Sequence, residues 1–265
     1  MSPYPRFLPI AETPVAGAGR AGSDGPVIAR GAASHWRAVE TWTFDGLAAV
    51  VPDAEVELVE GNREAQATRL RRSSLRRYLA SLQRPDADGA PVAYLKEFDL
   101  LKVAPRLRDD LRQRELMPPR TLSATRSWIG PAGARTGLHY DYLDNLAVQI
   151  LGIKRWRFVR AGAVERLGGV SEKYDPWAVL ARKGAAELAA RSAGGRDFFS
   201  VDTMPGDVLH VPAGWWHEVE NLTPSLMFGG FHGAVPNVLA RMAWVGARNL
   251  RHRLVGGECT CHGAP

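Results

Sequence analysis

The hydrophobic pattern of the chain changes character near residue 92. Beyond this point short apolar runs such as VAYL, SWIG, NLAVQIL, RWRFV, DVLHV and SLMFGGF are separated by Gly and Pro. Short β-type runs with turn signals between them are typical of a sandwich or a barrel. NLAVQIL and KRWRFV, with Gly152-Ile153 between them, predict one hairpin. PGDVLHVPAGWWHEVENL predicts a second hairpin that turns at Pro212-Ala213-Gly214.

Two other stretches have the spacing of amphipathic helices. Residues 67–82 place leucines at near-helical intervals with arginines between them. These arginines form either a solvated helix face or a surface that binds an acidic partner. After Pro236, Val238, Met242 and Val245 recur at helical spacing and predict a C-terminal helix.

These changes of pattern divide the chain into four parts. We expect a flexible arm rich in Pro, Gly and Ala over residues 1–26, an α/β extension over 27–91, a β core over 92–235, and a helix with a tail over 236–265. A segment at 172–199 interrupts the β series and has partly helical spacing at 178–191. The length of 265 residues fits one large domain better than two.

Composition and charge narrow the setting of the protein. The chain is 45% hydrophobic and 23% charged, as in globular proteins. Its formal charge of +6 is spread too diffusely to indicate a nucleic-acid partner. Cys259 and Cys261 are the only cysteines, so we expect a cytoplasmic protein. The sequence contains no signal peptide and no apolar run of the roughly 18–20 residues that a membrane span needs, so no membrane partner is expected.

The motif TGLHYD at residues 136–141 places a histidine and an aspartate two positions apart in a predicted strand. Successive side chains of a strand point to opposite faces, so His139 and Asp141 share a face. The two are chance neighbours, a hydrogen-bonded pair in a core, or two ligands of one metal. His217 opens a later strand and is the candidate third ligand. Two histidines and one carboxylate form the facial triad of non-haem Fe(II) oxygenases.

Lys154 is the second unusual residue. Period two puts it on one face with Trp156 and Phe158, and a lysine on a buried aromatic face needs a partner for its ammonium group. The candidate partner is the far carboxylate of 2-oxoglutarate, and the alternative is a surface position. Many oxygenases of this chemistry use an arginine after the distal histidine, but no Lys or Arg lies between His217 and Arg241.

The two segments SWIGPAGARTGLHYDYLDNLAVQILGIKRWRFV and PGDVLHVPAGWWHEVENL resemble the JmjC-type, cupin-like Fe(II)/2-oxoglutarate oxygenases. The resemblance is nearest to the asparaginyl hydroxylase of hypoxia-inducible factor and its small bacterial relatives, over about residues 92–232. It implies a mainly β fold, with a double-stranded β-helix (jelly roll, cupin) core and flanking helices at both ends. It also implies a dioxygenase that uses Fe(II), 2-oxoglutarate and O₂ to hydroxylate a C–H bond.

The resemblance assigns roles to individual residues. By it, His139, Asp141 and His217 are the catalytic iron ligands. Four further residues bind the co-substrate: Lys154 pairs with the far carboxylate of 2-oxoglutarate, the hydroxyls of Thr136 and Tyr94 help, and Asn145 lines the pocket. Lys96 stands where the family contacts substrate.

The sequence also departs from the family pattern. Gly137 stands where the family often has proline, Gly230 lies near the position of an asparagine, and His232 falls where an aromatic often stands. Substrate and pocket shape are therefore not carried over from the family. His232 is retained as a candidate substrate contact.

The segment at 172–199 predicts the kind of substrate. An insertion between the strands of Lys154 and His217 lies over the mouth of a barrel, where long loops carry function. Trp177, with Arg182, Lys183, Arg191 and Arg196 downstream, predicts an aromatic surface with a basic rim, and Gly137, Gly229 and Gly230 predict a roomy mouth.

We therefore expect a peptide or protein side chain as substrate, for example a β-carbon of a ribosomally made precursor peptide. We also expect a homodimer through the C-terminal helix. Three alternatives stay open: a hydroxylase of a small metabolite or free amino acid, a JmjC demethylase, and an inactive cupin-like binding module.

Overall fold

The structure is a computed structural model, and it describes residues 7–14, 24–62, 64, 69–84, 92–116, 121–192 and 195–260. In chain order the elements are β1 (Leu8–Pro9), β2 (Ala11–Glu12), β3 (Val27–Ala29), α1 (Arg37–Thr41), α2 (Phe44–Val50), β4 (Glu55–Glu60), β5 (Arg69–Ser74), α3 (Leu75–Ser81), β6 (Ala93–Phe98), α4 (Leu100–Val103), a 3-10 helix (Pro105–Asp110), α5 (Gln113–Leu116), β7 (Thr121–Gly130), β8 (Arg135–Asp141), β9 (Asp144–Leu151), β10 (Lys154–Val159), α6 (Ala163–Arg166), β11 (Ala178–Leu180), α7 (Ala185–Arg191), β12 (Phe198–Thr203), β13 (Val208–Val211), β14 (Trp216–Asn221), β15 (Ser225–Ala234) and α8 (Val235–Val255).

Eight strands form the core, in two facing sheets. The first sheet contains the order β13-β9-β15-β7, and the second contains the order β12-β10-β14-β8. The chain crosses to the other sheet after every core strand except β10, which is the winding of a double-stranded β-helix. The predicted fold class is confirmed: the protein is mainly β, with a jelly-roll core and flanking helices at both ends.

The N-terminal part widens the sheets and adds a hydrophobic layer. β6, β4 and β5 continue the first sheet beyond β7, and β3 and β2 continue it beyond β13. The outer face of this sheet packs on the N-terminal helices through a buried cluster that includes Trp36, Phe44 and Leu79. The space between the two core sheets is filled by a second cluster, which includes Trp128 and Trp156.

Both predicted hairpins are wrong. β9 pairs with β13 and β15, whereas β10 pairs with β12 and β14 in the other sheet. β13 and β14 are divided between the sheets in the same way. The turns are corners where the chain crosses between sheets, and Gly152 and Gly214 have the positive φ values of 73° and 82° that glycine adopts readily.

The helix predicted for 67–82 is wrong in its first half. Residues 69–74 form β5, and only Leu75–Ser81 is helical. The partner of β5 is β4, and the arginines pair across the strands with its glutamates: Arg71 with Glu60 at 3.4 Å and Arg72 with Glu55 at 3.4 Å. A cross-strand partner outside the sequence window overrides the local helical spacing.

Two other predicted boundaries change. Within the predicted arm, Leu8–Pro9 pairs with β12 and Ala11–Glu12 pairs with β3, while much of the arm and residues 261–265 lie outside the described part. The helix expected at 178–191 starts only at Ala185. Its first residues form β11, which pairs with the strand of the predicted metal ligands.

The C-terminal helix is confirmed as α8, but its apolar face differs from the predicted one. Val238 and Val245 are buried against the barrel, and Met242 is half exposed. Three leucines of this helix, Leu239, Leu250 and Leu254, are 55%, 61% and 78% exposed. Among the helices of the described residues, none combines the length and the hydrophobicity that a membrane crossing requires.

We expect a homodimer through this exposed side of α8, because burying three large leucines removes apolar surface from water. Leu250→Glu combined with Leu254→Glu should convert the dimer to a monomer in multi-angle light scattering.

The matched control is Leu70→Glu, which places the same charge at a half-exposed leucine on the edge strand β5. It should leave the dimer intact. A wild-type protein that is monomeric at the highest accessible concentration would contradict the prediction.

Candidate metal centre and co-substrate pocket

The predicted metal ligands meet where β8 pairs with β14. His217 lies directly opposite His139 in this antiparallel pair, and a β-bulge shifts the register just after His217. Asp141 follows on β8 with its side chain on the same face as His139. One ligand atom from each of the three residues lies within 4.8 Å of the others. The structure therefore brings together three residues that are up to 78 positions apart in the chain.

The separations fit three ligands around a common point. His139 Nε2 lies 3.8 Å from Asp141 Oδ1, and His217 Nε2 lies 3.6 Å from Asp141 Oδ2. Both distances are too long for a hydrogen bond, so His139 and Asp141 are not the hydrogen-bonded pair considered above. Ligands that each lie roughly 2.0–2.2 Å from one ion are roughly 3–4 Å from one another.

Both imidazoles are oriented by backbone carbonyls. His139 Nδ1 is 2.7 Å from the carbonyl oxygen of Gly137, and His217 Nδ1 is 3.0 Å from that of Trp215. When Nδ1 donates to the carbonyl, the lone pair of Nε2 is directed at the shared point beside Asp141. Metal-binding histidines are held by this kind of bond.

Burial acts in opposite directions on the ligand forms of His217 and Asp141. Burial lowers the pKa of His217 well below its usual value, and neighbouring His139 lowers it further. Burial also raises the pKa of Asp141 to about 6; His139 lowers it, while Glu97 and Asp175 raise it. A neutral imidazole is a ligand, and a cation at the shared point would stabilise the carboxylate. The donor set therefore fits a divalent transition metal.

Lys154 is completely buried, so the surface alternative is excluded. Its Nζ donates to the hydroxyl of Tyr94 at 2.8 Å and to Oδ1 of Asn221 at 2.5 Å. Burial, together with the charge of neighbouring Lys96, lowers the pKa of Lys154 to about 7. Among the described residues no carboxylate pairs with this ammonium group, whose third N–H remains for a ligand. A buried cation of this kind fits the carboxylate of an acidic co-substrate.

A cavity of about 490 Å³ connects these groups. It is lined by seven of the predicted site residues: His139, Asp141, His217, Tyr94, Thr136, Asn145 and Trp177. Oδ1 of Asn145 is buried without a hydrogen-bond partner among the described residues, so an unsatisfied amide faces the cavity. Lys154 lies behind Tyr94, and the half-exposed Trp177 stands at the mouth.

Two predicted substrate contacts lie elsewhere. His232 is on the opposite face of its sheet: Phe231 lines the cavity, and the next side chain of β15 points away from it. The prediction that His232 contacts substrate is wrong, because successive side chains of a strand point to opposite faces of the sheet. Nζ of Lys96 is 2.9 Å from both carboxylate oxygens of Glu64, and the side chain is 1% exposed. The substrate role of Lys96 stays a prediction.

The glycines do not make the mouth roomy. A Cβ at Gly137 would lie 2.6 Å from Oδ1 of Asn62, and one at Gly229 would lie 2.6 Å from the ring of Trp128. These side chains fill the space that the glycines leave. Gly137 N also donates to Glu64 at 3.1 Å. Sequence reasoning missed Asn62, Glu64 and Trp128 because a fold contact, with no local pattern, brings them to the site.

The predicted basic rim is also wrong. Arg182 pairs with Glu172 at 3.1 Å, Lys183 pairs with Glu187 at 2.9 Å, and neither lines the cavity. The same holds for Arg191, which pairs with Glu187, and for the exposed Arg196.

The cavity lining is instead acidic near its mouth, where Glu97 and Asp175 contribute carboxylates. Glu97 has φ 54° at a shift in the register of β6 against β7. Such a φ is uncommon for a residue other than glycine and occurs often at functional sites. The lining includes Arg126, which pairs with Asp99 at 3.3 Å. Among the described residues of the lining, carboxylates therefore outnumber lysine and arginine side chains.

Comparison with known proteins agrees with this geometry. Residues 20–237 match the sequence profile of the cupin-like domain. The chain is 26% identical over 215 residues to Jumonji C domain-containing protein 5 of Drosophila melanogaster, covering 76% of this chain and 52% of that protein. It is 26% identical over 211 residues to lysine-specific demethylase JMJ30 of Arabidopsis thaliana, covering 76% and 48%.

A third relative, lysine-specific demethylase 8 of Xenopus tropicalis, is 24% identical over 210 residues, covering 74% of this chain and 45% of that protein. The chain spans about half the length of these curated relatives.

His217→Ala should lower Fe(II) affinity by at least about 100-fold, because even partners that only orient a ligand contribute about 10- to 100-fold. Fe(II) titration of the chelator-treated protein, followed by calorimetry, measures this. Thermal unfolding of the metal-free variant should stay close to that of the wild type. Unchanged Fe(II) affinity would remove His217 from the centre.

Lys154 should make 2-oxoglutarate binding depend on pH. A carboxylate ligand prefers the protonated amine, and the pKa of Lys154 in the free protein is about 7. Affinity should therefore be full below this pH and fall roughly tenfold for each unit above it, until the pKa of the bound form is reached. Calorimetry between pH 6 and 9 at saturating metal measures the trend.

The control is Lys154→Met, which keeps a long unbranched side chain but removes its charge. It should cost about 2–5 kcal/mol of binding free energy and remove this part of the pH dependence. A variant that keeps the wild-type affinity and pH profile would assign the carboxylate to another residue.

Proposed function

The chain belongs to the family of cupin-like domains, of the JmjC type whose members use Fe(II) and 2-oxoglutarate, and we propose that it is an Fe(II)- and 2-oxoglutarate-dependent oxygenase. One observation carries the proposal: the His139–Asp141–His217 cluster and Tyr94, the partner of the buried Lys154, line the same cavity. A metal-binding module without turnover would have no use for a buried cation beside its metal cluster.

The three clustered side chains would hold the iron from one side. His139 and His217 approach from paired strands, and Asp141 stands between their Nε2 atoms. The other side of the metal would then face the cavity, where a co-substrate and O₂ need room. Iron with 2-oxoglutarate and O₂ supplies the oxidation of a C–H bond when bound.

The far carboxylate of 2-oxoglutarate would bind in the polar pocket around Lys154. The Tyr94 hydroxyl lies between the ammonium group and the cavity, and burial raises the pKa of this phenol well above its usual value, so it remains a donor. Thr136 hydrogen-bonds to Tyr94 and lines the cavity. Asn145 lines the same cavity, and the N–H of its side-chain amide would donate to the ligand. Hydrophobic walls that include Trp156 and Val219 exclude water from this end.

The open end of the cavity suits a long substrate. It extends to Trp177 and Tyr142 and reaches Val238 and Met242 on α8, and the pocket remains open to solvent there. A free amino acid needs a small closed pocket, whereas a peptide needs an open groove leading to a narrow site. We therefore favour hydroxylation of a peptide or protein side chain, for example at a β-carbon of a ribosomally made precursor peptide.

A second candidate function is demethylation of a methylated lysine. Two relatives are named lysine-specific demethylases. The mouth combines the aromatic ring of Trp177 with the carboxylates of Glu97 and Asp175, and such a ring attracts a methylated ammonium group. The ring of Tyr142 is already covered by the guanidinium groups of Arg241 and Arg248. Release of formaldehyde would identify this reaction, whereas hydroxylation adds one oxygen to the peptide mass.

Trp177→Ala should lower turnover of a peptide substrate at least about tenfold, because a large aromatic contact surface at the mouth is lost. It should spare the slow decay of 2-oxoglutarate without substrate, since Trp177 is 44% exposed at the mouth of the cavity. Succinate formation measured with and without peptide separates the two effects. A substitution is preferable to deletion of the segment, because β11 pairs with the strand of His139 and Asp141.

Arg182→Ala is the matched control, since this side chain lies on the same segment outside the cavity lining. It should leave both rates unchanged. If a free amino acid were hydroxylated as efficiently as any peptide containing it, the peptide proposal would be abandoned. If wild-type protein with Fe(II) consumed no 2-oxoglutarate under any condition, the oxygenase proposal would fail.

A further inference from the structure

A second cluster of two histidines and one carboxylate lies on the outer face of the first sheet. One ligand atom from each of Asp144, His210 and His232 lies within 4.8 Å of the others. The residues come from the adjacent strands β9, β13 and β15, where Asp144 is opposite His232 and His210 is opposite Leu146. Opposite and diagonal neighbours on one face of a sheet are close enough for their side chains to meet.

This cluster is separate from the cavity. The neighbouring residues Asn145 and Phe231 line the cavity, so the side chains of Asp144 and His232 point to the other side of the sheet. Neither His210 nor His232 lines the cavity, and each is only 1% exposed. The side chain of Asp144 is 25% exposed, so a ligand held there would lie just beneath the outer surface of the sheet and away from the cavity.

The imidazole of His232 is held in the same way as those of the first cluster. Its Nδ1 is 3.1 Å from the carbonyl oxygen of Gly230, two residues earlier, as for His139 with Gly137 and His217 with Trp215. With Nδ1 donating, Nε2 presents a lone pair to the cluster. This Nε2 is buried without a hydrogen-bond partner among the described residues, which is unfavourable unless a ligand occupies the site.

The carboxylate is divided between two tasks. Oδ1 of Asp144 accepts a hydrogen bond from the backbone N–H of Ala213 at 2.8 Å. Oδ2 faces His210, whose Nε2 is 3.9 Å away. This separation is too long for a hydrogen bond and close to the 3.6 and 3.8 Å found in the first cluster. It matches two ligands of one ion.

We propose that Asp144, His210 and His232 form a second metal site that binds Zn²⁺ or a similar divalent transition ion. Two imidazoles and one carboxylate favour such an ion over Ca²⁺ or Mg²⁺, which prefer oxygen ligands. Its separation from the cavity makes the site structural. The ion joins three adjacent strands and, through Asp144 and Ala213, secures the Pro212–Gly214 turn that leads into the strand of His217.

The test counts Zn²⁺ bound to chelator-treated protein by native mass spectrometry. Wild type should bind about two equivalents per chain, and His217→Ala should keep about one, because it removes only the first cluster. Adding His232→Leu to His217→Ala should remove the remaining equivalent and the rise in unfolding temperature that Zn²⁺ causes. His35→Gln, at an exposed histidine paired with Glu115, should change neither count nor temperature.

Because the His232→Leu variant could fail to fold, Asp144→Asn provides a second test of Zn²⁺ binding. Its amide oxygen keeps the bond from Ala213 but offers no charge, and we expect at least tenfold weaker Zn²⁺ binding in the His217→Ala background. Absorption bands of Co²⁺ in that background should be lost in parallel. The proposal is overturned if His217→Ala binds no Zn²⁺, the result expected when a buried water occupies the cluster. It is also overturned if the variant that combines His217→Ala with His232→Leu still binds one equivalent of Zn²⁺. Both readings are independent of 2-oxoglutarate turnover.

Discussion

The pairing of β8 with β14 is the constraint on which the chemistry of the cavity depends. It sets His217 opposite His139, and the alternation of side chains brings Asp141 to the same face. The strands on either side hold this pair in place. β10 flanks β14 and sets Lys154 opposite Asn221, while β11 flanks β8 and sets Ala178 opposite Asp141. The three metal-ligand side chains and the buried Lys154 therefore all lie on one six-stranded sheet.

Local periodicity predicts correctly which side chains of β8 and of β10 share a face. The shared face of His139 and Asp141 follows from their spacing, and so does the burial of Lys154 with Trp156 and Phe158. Periodicity cannot tell which sheet a strand joins, and both predicted hairpins fail for that reason. Asn221 escaped notice for the same reason, since it meets Lys154 only through the pairing of β10 with β14.

Local sequence patterns do not predict which residues of the N-terminal extension contact the site. Glu64 binds Lys96 and the backbone of Gly137, so it ties the extension to the strand of the metal ligands. An ion pair so deeply buried is costly to break, because each partner would leave an uncompensated charge in a desolvated place. The extension thus forms part of the wall of the site. It contacts β8 at Gly137, where the missing side chain leaves room for Asn62 and Glu64.

The two faces of β15 carry different chemistry, and this has a consequence for biogenesis. A slip of one residue would exchange the faces, placing His232 in the cavity and Phe231 among the residues of the outer face. β15 pairs with β7 over ten consecutive residue pairs without a shift, whereas its ladder with β9 shifts between Leu226 and Met227. The pairing with β7 therefore fixes the register of β15. Metal bound before this ladder had formed would hold the histidines in a misaligned strand, so correct loading requires that β15 pairs with β7 first.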